Sequence, residues 1–160
     1  MLAVFTLYSI SLWLHISAAV VGLGATFALA VGFPLALKLD AKYLPFVHHL
    51  SLNVNRKLAS PALLVLIITG IYQAVDSDSM DQPWVGGTLL IAIILGGLQG
   101  GYFVPTDKKL AAMAEKELAS GATTLSDDYQ RQAQREGGIG ALAGFLIIVA
   151  VFLMVTKPGA

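Results

Sequence analysis

The chain has 160 residues, 56% of them hydrophobic and only 12% charged, and its ten basic residues are balanced by ten acidic ones. Soluble domains run closer to about 45–50% apolar and about 25% charged, so this composition, with a mean hydropathy of +0.74, describes an integral membrane protein whose first partner is the lipid bilayer. The zero net charge excludes nucleic-acid binding and an electrostatic membrane anchor, and the absence of cysteine excludes disulfides, thiolate metal sites and cysteine nucleophiles.

A membrane-crossing helix needs about 20 mostly apolar residues. Four segments meet that requirement, so the expected fold is all-α, a single four-helix membrane bundle over residues 1–160. The first span covers about residues 2–37. It lacks a basic leader and a small-residue cleavage pattern, which makes it a retained span rather than a signal peptide. It is longer than the hydrocarbon core requires, so it is expected to tilt or to emerge near Pro34. Inside it stands His15, one turn before a stripe of small residues, Ala18, Gly22, Thr26 and Ala30, that recur every four positions. A neutral imidazole suits transition metals and haem iron, its near-neutral pKa suits a proton relay, and a hydrogen bond to a neighbouring helix would make it packing glue. Spacing leaves these readings open. The small stripe likewise serves close helix packing or makes space for a flat ligand.

The second span covers about residues 45–76, with a break expected near Pro61. His48 and His49 are adjacent, so on a helix they point about 100° apart; they read as interfacial residues rather than ligands. Arg56 and Lys57 mark the membrane boundary, and the Arg56 guanidinium suits either anchoring there or pairing with a carboxylate such as a haem propionate. Tyr72 and Gln73 lie near the span's end, and the acidic loop that follows, with Asp76, Asp78 and Asp81, reads as solvated.

The third span, residues 83–104, carries Gly86 and Gly87 and two overlapping G-x-x-x-G pairs, Gly96/Gly100 and Gly97/Gly101. Gln99 and Tyr102 are its candidate ligand-binding polar groups. The stretch "PTDKKLAAMAEKELASG" is rich in helix formers and stops at Gly121, while Ser126, Asp127 and Asp128 form an N-cap and acidic first turn. A short helical extension between the third and fourth helices follows from this, and it is expected on the cytoplasmic side. The fourth span, residues 137–156, carries Gly140 and Gly144 and is closed by Lys157 and Pro158.

Basic residues concentrate in the first and third loops and are missing from the second, which predicts cytoplasmic first and third loops and both termini outside. No H-x-x-x-H, H-E-x-x-H or E-x-x-H spacing occurs, so a self-contained divalent-metal site is not expected. Nor is there a catalytic triad, a phosphate loop or a paired intramembrane carboxylate. Catalytic residues stay unassigned, and any chemistry falls to a bound cofactor.

Three stretches resemble the bacterial HemJ-type protoporphyrinogen oxidase and CopD-like group of small membrane proteins. They are "LWLHISAAVVGLGATF" in the first helix, "RKLASPALLVLIITGIY" leading through the second, and "FLIIVAVFLMVTKPGA" at the end. The resemblance implies a prokaryotic cytoplasmic-membrane protein with haem b as cofactor and His15 as ligand to the haem iron. It raises Arg56 as a polar partner of the haem. The residues themselves add Gly22, on the small stripe that the His15 ring faces, and Gln99, a candidate second ligand, to the cofactor-binding set. The oxidases carry a lysine, with a histidine nearby, at the start of the third helix; this chain reads "QPWVGGTLLIAI" there. The resemblance therefore carries the bundle and the haem ligand further than it carries the oxidase reaction.

The leading expectation is a haem b protein for electron transfer or porphyrin redox chemistry. The alternative is a non-catalytic membrane subunit, docking a partner protein or a second copy through its glycine faces, with a structural histidine. Copper or small-solute handling stands third, for want of cysteines and of a second intramembrane ligand.

Overall fold

A computed structural model describes residues 6–159, so the expected start of the first span at residues 2–5 lies outside the described residues. Four helices are long and apolar enough to cross a membrane: α1 (Leu7–Ala36), α2 (Ala41–Asp76), α3 (Pro83–Ala119) and α4 (Asp127–Thr156). No strand occurs among the described residues. Each helix packs on the next, and α4 closes back onto the second half of α1, which makes an up-down-up-down ring.

Local sequence accounts for the helix ends. Thr6 caps α1 in a reciprocal box with Ser9. Asp40 caps the single 3₁₀ turn that opens α2, and Ser126 caps α4 by accepting from the Tyr129 N–H. The turn between α3 and α4 closes through Gly121, whose φ of +89° needs a residue without Cβ. Both helices continue past their apolar parts into this turn, giving the helical extension expected from the sequence.

The expected break at Pro61 is absent, and α2 runs through it. A π-helical turn, Asn55–Ala59, precedes the proline, and the Ser60 N–H bonds to the Asn55 carbonyl, five residues back. The wider turn shifts the carbonyl that the proline ring would otherwise strike. The same register recurs in α3, where the π turn Gln99–Phe103 places the Val104 N–H on the Gln99 carbonyl just before Pro105. A third π turn, Ala19–Leu23, interrupts α1.

The interior holds three apolar clusters. One, at the α3–α4 turn, gathers Leu44, Leu110, Leu125 and Tyr129. A central one joins Leu63, Ile91, Leu95 and Ile147, and a small one, Ala18, Ala62 and Leu66, seals α1 on α2. Large apolar side chains such as Trp13, Val20, Phe46, Leu64 and Phe145 cover the outside, while His48, Ser51, Asn55, Gln99, Asp107 and Glu136 are buried. That inverted distribution is stable only where lipid replaces water around the bundle.

The small stripe of α1 serves close packing. A Cβ placed on Gly22 would collide with the Ala62 Cβ across the α1–α2 contact, and one on Gly144 would sit 3.4 Å from the Ala30 Cβ. Gly22 therefore brings two backbones together at Ala62, while its other side, with Thr26 and Ala30, borders a small cavity. Gly97 and Gly101 differ: no neighbouring atom comes within 4 Å of a Cβ at either position.

Candidate functional site

Among the described residues, a larger and a smaller cavity lie along the bundle axis. The larger, about 330 Å³, sits at the end that carries the chain termini, between all four helices. That is within the usual range of small-molecule sites, about 300–1,000 Å³. Its walls are mainly apolar, with Leu12, Leu66, Ile67 and Ile91 among them, and its polar groups are few. His15 is one of them.

The orientation of His15 can be worked out from its neighbours. Its Nδ1 lies 2.8 Å from Thr69 Oγ1. The Thr69 hydroxyl has one proton and lies 2.6 Å from the Val65 carbonyl, to which it donates. Thr69 must therefore accept from His15, which puts the imidazole proton on Nδ1 and leaves Nε2 with a free lone pair. Gly70 makes room for the ring, since a Cβ there would sit 3.2 Å from His15 Cε1.

Four further residues, Trp84, Lys157, Met80 and Met154, line the same space. The Trp84 Nε1–H is buried with no hydrogen-bond partner among the described residues. Lys157 Nζ stands 5.4 Å over the Trp84 ring at the cavity's outer end. Met80 and Met154 add two thioethers to the wall. The cavity thus offers a ring-nitrogen ligand, an unused donor, a cation and a soft sulfur around an apolar slot.

The second cavity is smaller, about 60 Å³, room for a few water molecules. Leu23, Leu63 and Leu95 line both cavities and form the apolar collar between them. All three π turns open onto the smaller one, through Gly22 and Leu23, Asn55 and Ala59, and Gln99 and Phe103; Gly137 and Gly140 complete the ring from α4. Single π turns in otherwise regular helices concentrate at functional sites.

Beside this inner cavity lies a polar cluster that sequence reasoning missed. His48 is fully buried, with Nδ1 3.0 Å from Asp107 Oδ1 and Nε2 2.8 Å from the Tyr129 hydroxyl. Ser51 Oγ donates to Asp107 Oδ2 at 2.8 Å. Glu136 Oε2 approaches His48 Nδ1 to 3.8 Å and has no hydrogen-bond partner among the described residues. His48 is therefore not interfacial, as its position beside His49 had suggested. The two rings do diverge: His49 points outward to Glu115, while His48 points into the core. Spacing searches look along one helix, whereas His48, Asp107 and Glu136 come one each from α2, α3 and α4.

The four sequence-derived site residues do not converge. His15 lines the outer cavity, Gly22 and Gln99 line the inner one, and Arg56 is exposed and lines neither. Of the other polar candidates, Gln73 donates to Ser11 and lines the outer cavity, while Tyr72 turns to Asp76. The signal that pointed to His48 was available in "DAKYLPFVHHL": a helix start at Pro45 turns one of two adjacent histidines inward.

A family model described as "Predicted integral membrane protein (DUF2269)" matches residues 9–158. No curated protein and no solved structure matches the chain.

Proposed function

The chain belongs to the DUF2269 family of predicted integral membrane proteins, and on that premise we propose that it binds haem b in its outer cavity through His15, for electron transfer or porphyrin redox chemistry. The observation that carries this reading is the hydrogen bond between His15 Nδ1 and Thr69 Oγ1, whose own proton goes to the Val65 carbonyl. With Nδ1–H held by Thr69, the free Nε2 is the nitrogen a haem iron takes, and a ligating histidine is oriented by such a bond from its other ring nitrogen.

The remaining wall chemistry fits the same group. A tetrapyrrole is flat and apolar with anionic propionates at one edge; Lys157, at the cavity's outer end, is the cation that would receive such a carboxylate. Met80 and Met154 line the cavity, and either thioether would serve as a further donor to the iron. Haem, when bound, supplies one-electron chemistry; His15 orients it, and the apolar walls keep water from it. Arg56 takes no part in this arrangement. The basic first and third loops support a cytoplasmic side for those loops, and with it an outer cavity that faces the external side of a prokaryotic cytoplasmic membrane.

The absorption spectrum of protein purified from haem-replete cells tests the reading. A Soret band in the wild type that is lost in a folded His15→Ala variant is expected. Colourless wild-type protein contradicts it, and copper in place of haem iron in that preparation favours metal handling at the same cavity.

A second reading has its own observation. Gly97 and Gly101 form a G-x-x-x-G face on α3 that no described residue covers, the kind of surface on which membrane helices associate. As a non-catalytic subunit, the protein would dock a second copy or a partner there. Gly97→Leu separates the readings: it disrupts co-purification of a partner chain or a second copy while leaving any haem spectrum intact.

A further inference from the structure

We propose that His48, Asp107 and Glu136 form a binding site for a divalent first-row transition metal, separate from the His15 cavity. Each residue offers one donor atom, and the three atoms lie within 4.8 Å of one another. The two separations from His48 match the edges of a coordination shell. A metal about 2.1 Å from each ligand separates two donors by about 3.0 Å at a right angle and about 3.8 Å near 130°. His48 Nδ1 lies 3.0 Å from Asp107 Oδ1 and 3.8 Å from Glu136 Oε2.

Charge balance points the same way. Two acidic side chains share the core with one imidazole, and no Lys or Arg forms an ion pair with either carboxylate among the described residues. A divalent cation would balance the two carboxylates once both are ionised. Glu136 is 3% exposed, and its Oε2 is one of two buried side-chain atoms left without a partner among the described residues. An uncompensated buried acceptor is costly unless something satisfies it, and a metal ion does so directly.

The surrounding groups fit an outer shell. Ser51 Oγ donates to Asp107 Oδ2, leaving Oδ1 for the metal. With Nδ1 on the metal, His48 Nε2–H donates to the Tyr129 hydroxyl at 2.8 Å, the second-nitrogen bond that metal-bound histidines make. One nitrogen and two carboxylate oxygens suit Mn²⁺, Fe²⁺ or Zn²⁺. Three protein ligands leave coordination positions open, and the inner cavity beside Glu136 has room for the waters to fill them.

The test is metal analysis of full-length protein purified without a polyhistidine tag, followed by chelation and titration with Mn²⁺ and Zn²⁺. The expected result is one non-haem divalent ion per chain, removed by chelator and restored by Mn²⁺ with a rise in melting temperature. Glu136→Gln should weaken Mn²⁺ binding more than about 100-fold, beyond what an outer-shell change costs, while His49→Ala leaves it unchanged. Wild-type protein that is metal-free and shows neither stoichiometric uptake nor a melting shift at millimolar Mn²⁺ or Zn²⁺ overturns the proposal and leaves a shared proton between the carboxylates. Because the wild-type titration decides the matter, failure of Glu136→Gln to fold does not shelter it. The outcome is also independent of haem at His15, since the probe ions are not iron.

Discussion

Replacing Thr69 by Val keeps the side chain's volume and shape but removes the oxygen that fixes His15. The bond is strong in geometry: His15 Nδ1 is 2.8 Å from Oγ1, which in turn donates to Val65 O at 2.6 Å. Val65 O keeps its helical partner, and the Leu66 carbonyl remains as a second acceptor near the ring, so the variant weakens rather than abolishes the bonding of His15 Nδ1–H. His15 is half-buried, which places the stability cost near the lower end of about 1–3 kcal/mol. The larger effect falls on ligation. Losing the acceptor frees the ring to change tautomer and lowers the donor strength of Nε2, so haem retention should weaken roughly 10–100-fold and the midpoint potential should rise. The assay is haem occupancy from the ratio of Soret to protein absorbance, with a redox titration of the fraction that stays loaded. Thr69→Ser retains an acceptor and should restore both values. If Thr69→Val matched the wild type in occupancy and potential, the Nδ1 bond would have no bearing on the ligand, and the tautomer argument would fail.

Other expectations follow from the same contacts. Lys157→Gln should lower haem occupancy while Arg56→Gln leaves it unchanged, read from the same absorbance ratio, because only Lys157 lines the cavity. Gly22→Ala forces a methyl against Ala62 and should destabilise the bundle by about 1–3 kcal/mol, measured by unfolding in detergent; unchanged stability would mean the α1–α2 contact yields freely. Tyr129→Phe in metal-free protein leaves His48 Nε2 unpaired in a fully buried site and should cost about 1–3 kcal/mol by the same measurement. The α3–α4 turn, outside the apolar spans, should loosen in acid. The Ser126 hydroxyl and backbone N–H hold the Glu117 carboxyl below its ordinary range, so their stabilisation is complete above that range and is lost as pH falls through the lowered value. Proteolysis within residues 119–126 should rise with acidity in the wild type and show no such dependence in Glu117→Gln.

The bundle itself was legible in the sequence because membrane helices announce themselves through long apolar runs, which need no knowledge of partners. The helical extension was legible from Gly121 and the Ser126 cap. Pro61 misled, because a proline read alone implies a break, and only the neighbouring π turn shows how the helix absorbs it. The stripe through Gly22 was visible as a stripe, but whether it packs or opens depends on Ala62, a residue 40 positions away. His48 was hidden for the opposite reason. Its partners Asp107 and Glu136 sit on other helices, outside the apolar spans as drawn from hydropathy, and only the ring closure of the bundle brings them together. His15 was conspicuous from the start, yet the detail that matters for ligation, which nitrogen holds the proton, came from Thr69 and Val65.

The most direct measurement is the absorption spectrum of a His15→Gly variant with and without added imidazole. The variant replaces the proposed ligand by a gap that a free imidazole can enter. The account predicts little or no Soret band without imidazole and its recovery, with haem supplied, when imidazole is present. A variant that holds haem with an unaltered spectrum and no response to imidazole would contradict it, because the iron would then be held by some other group.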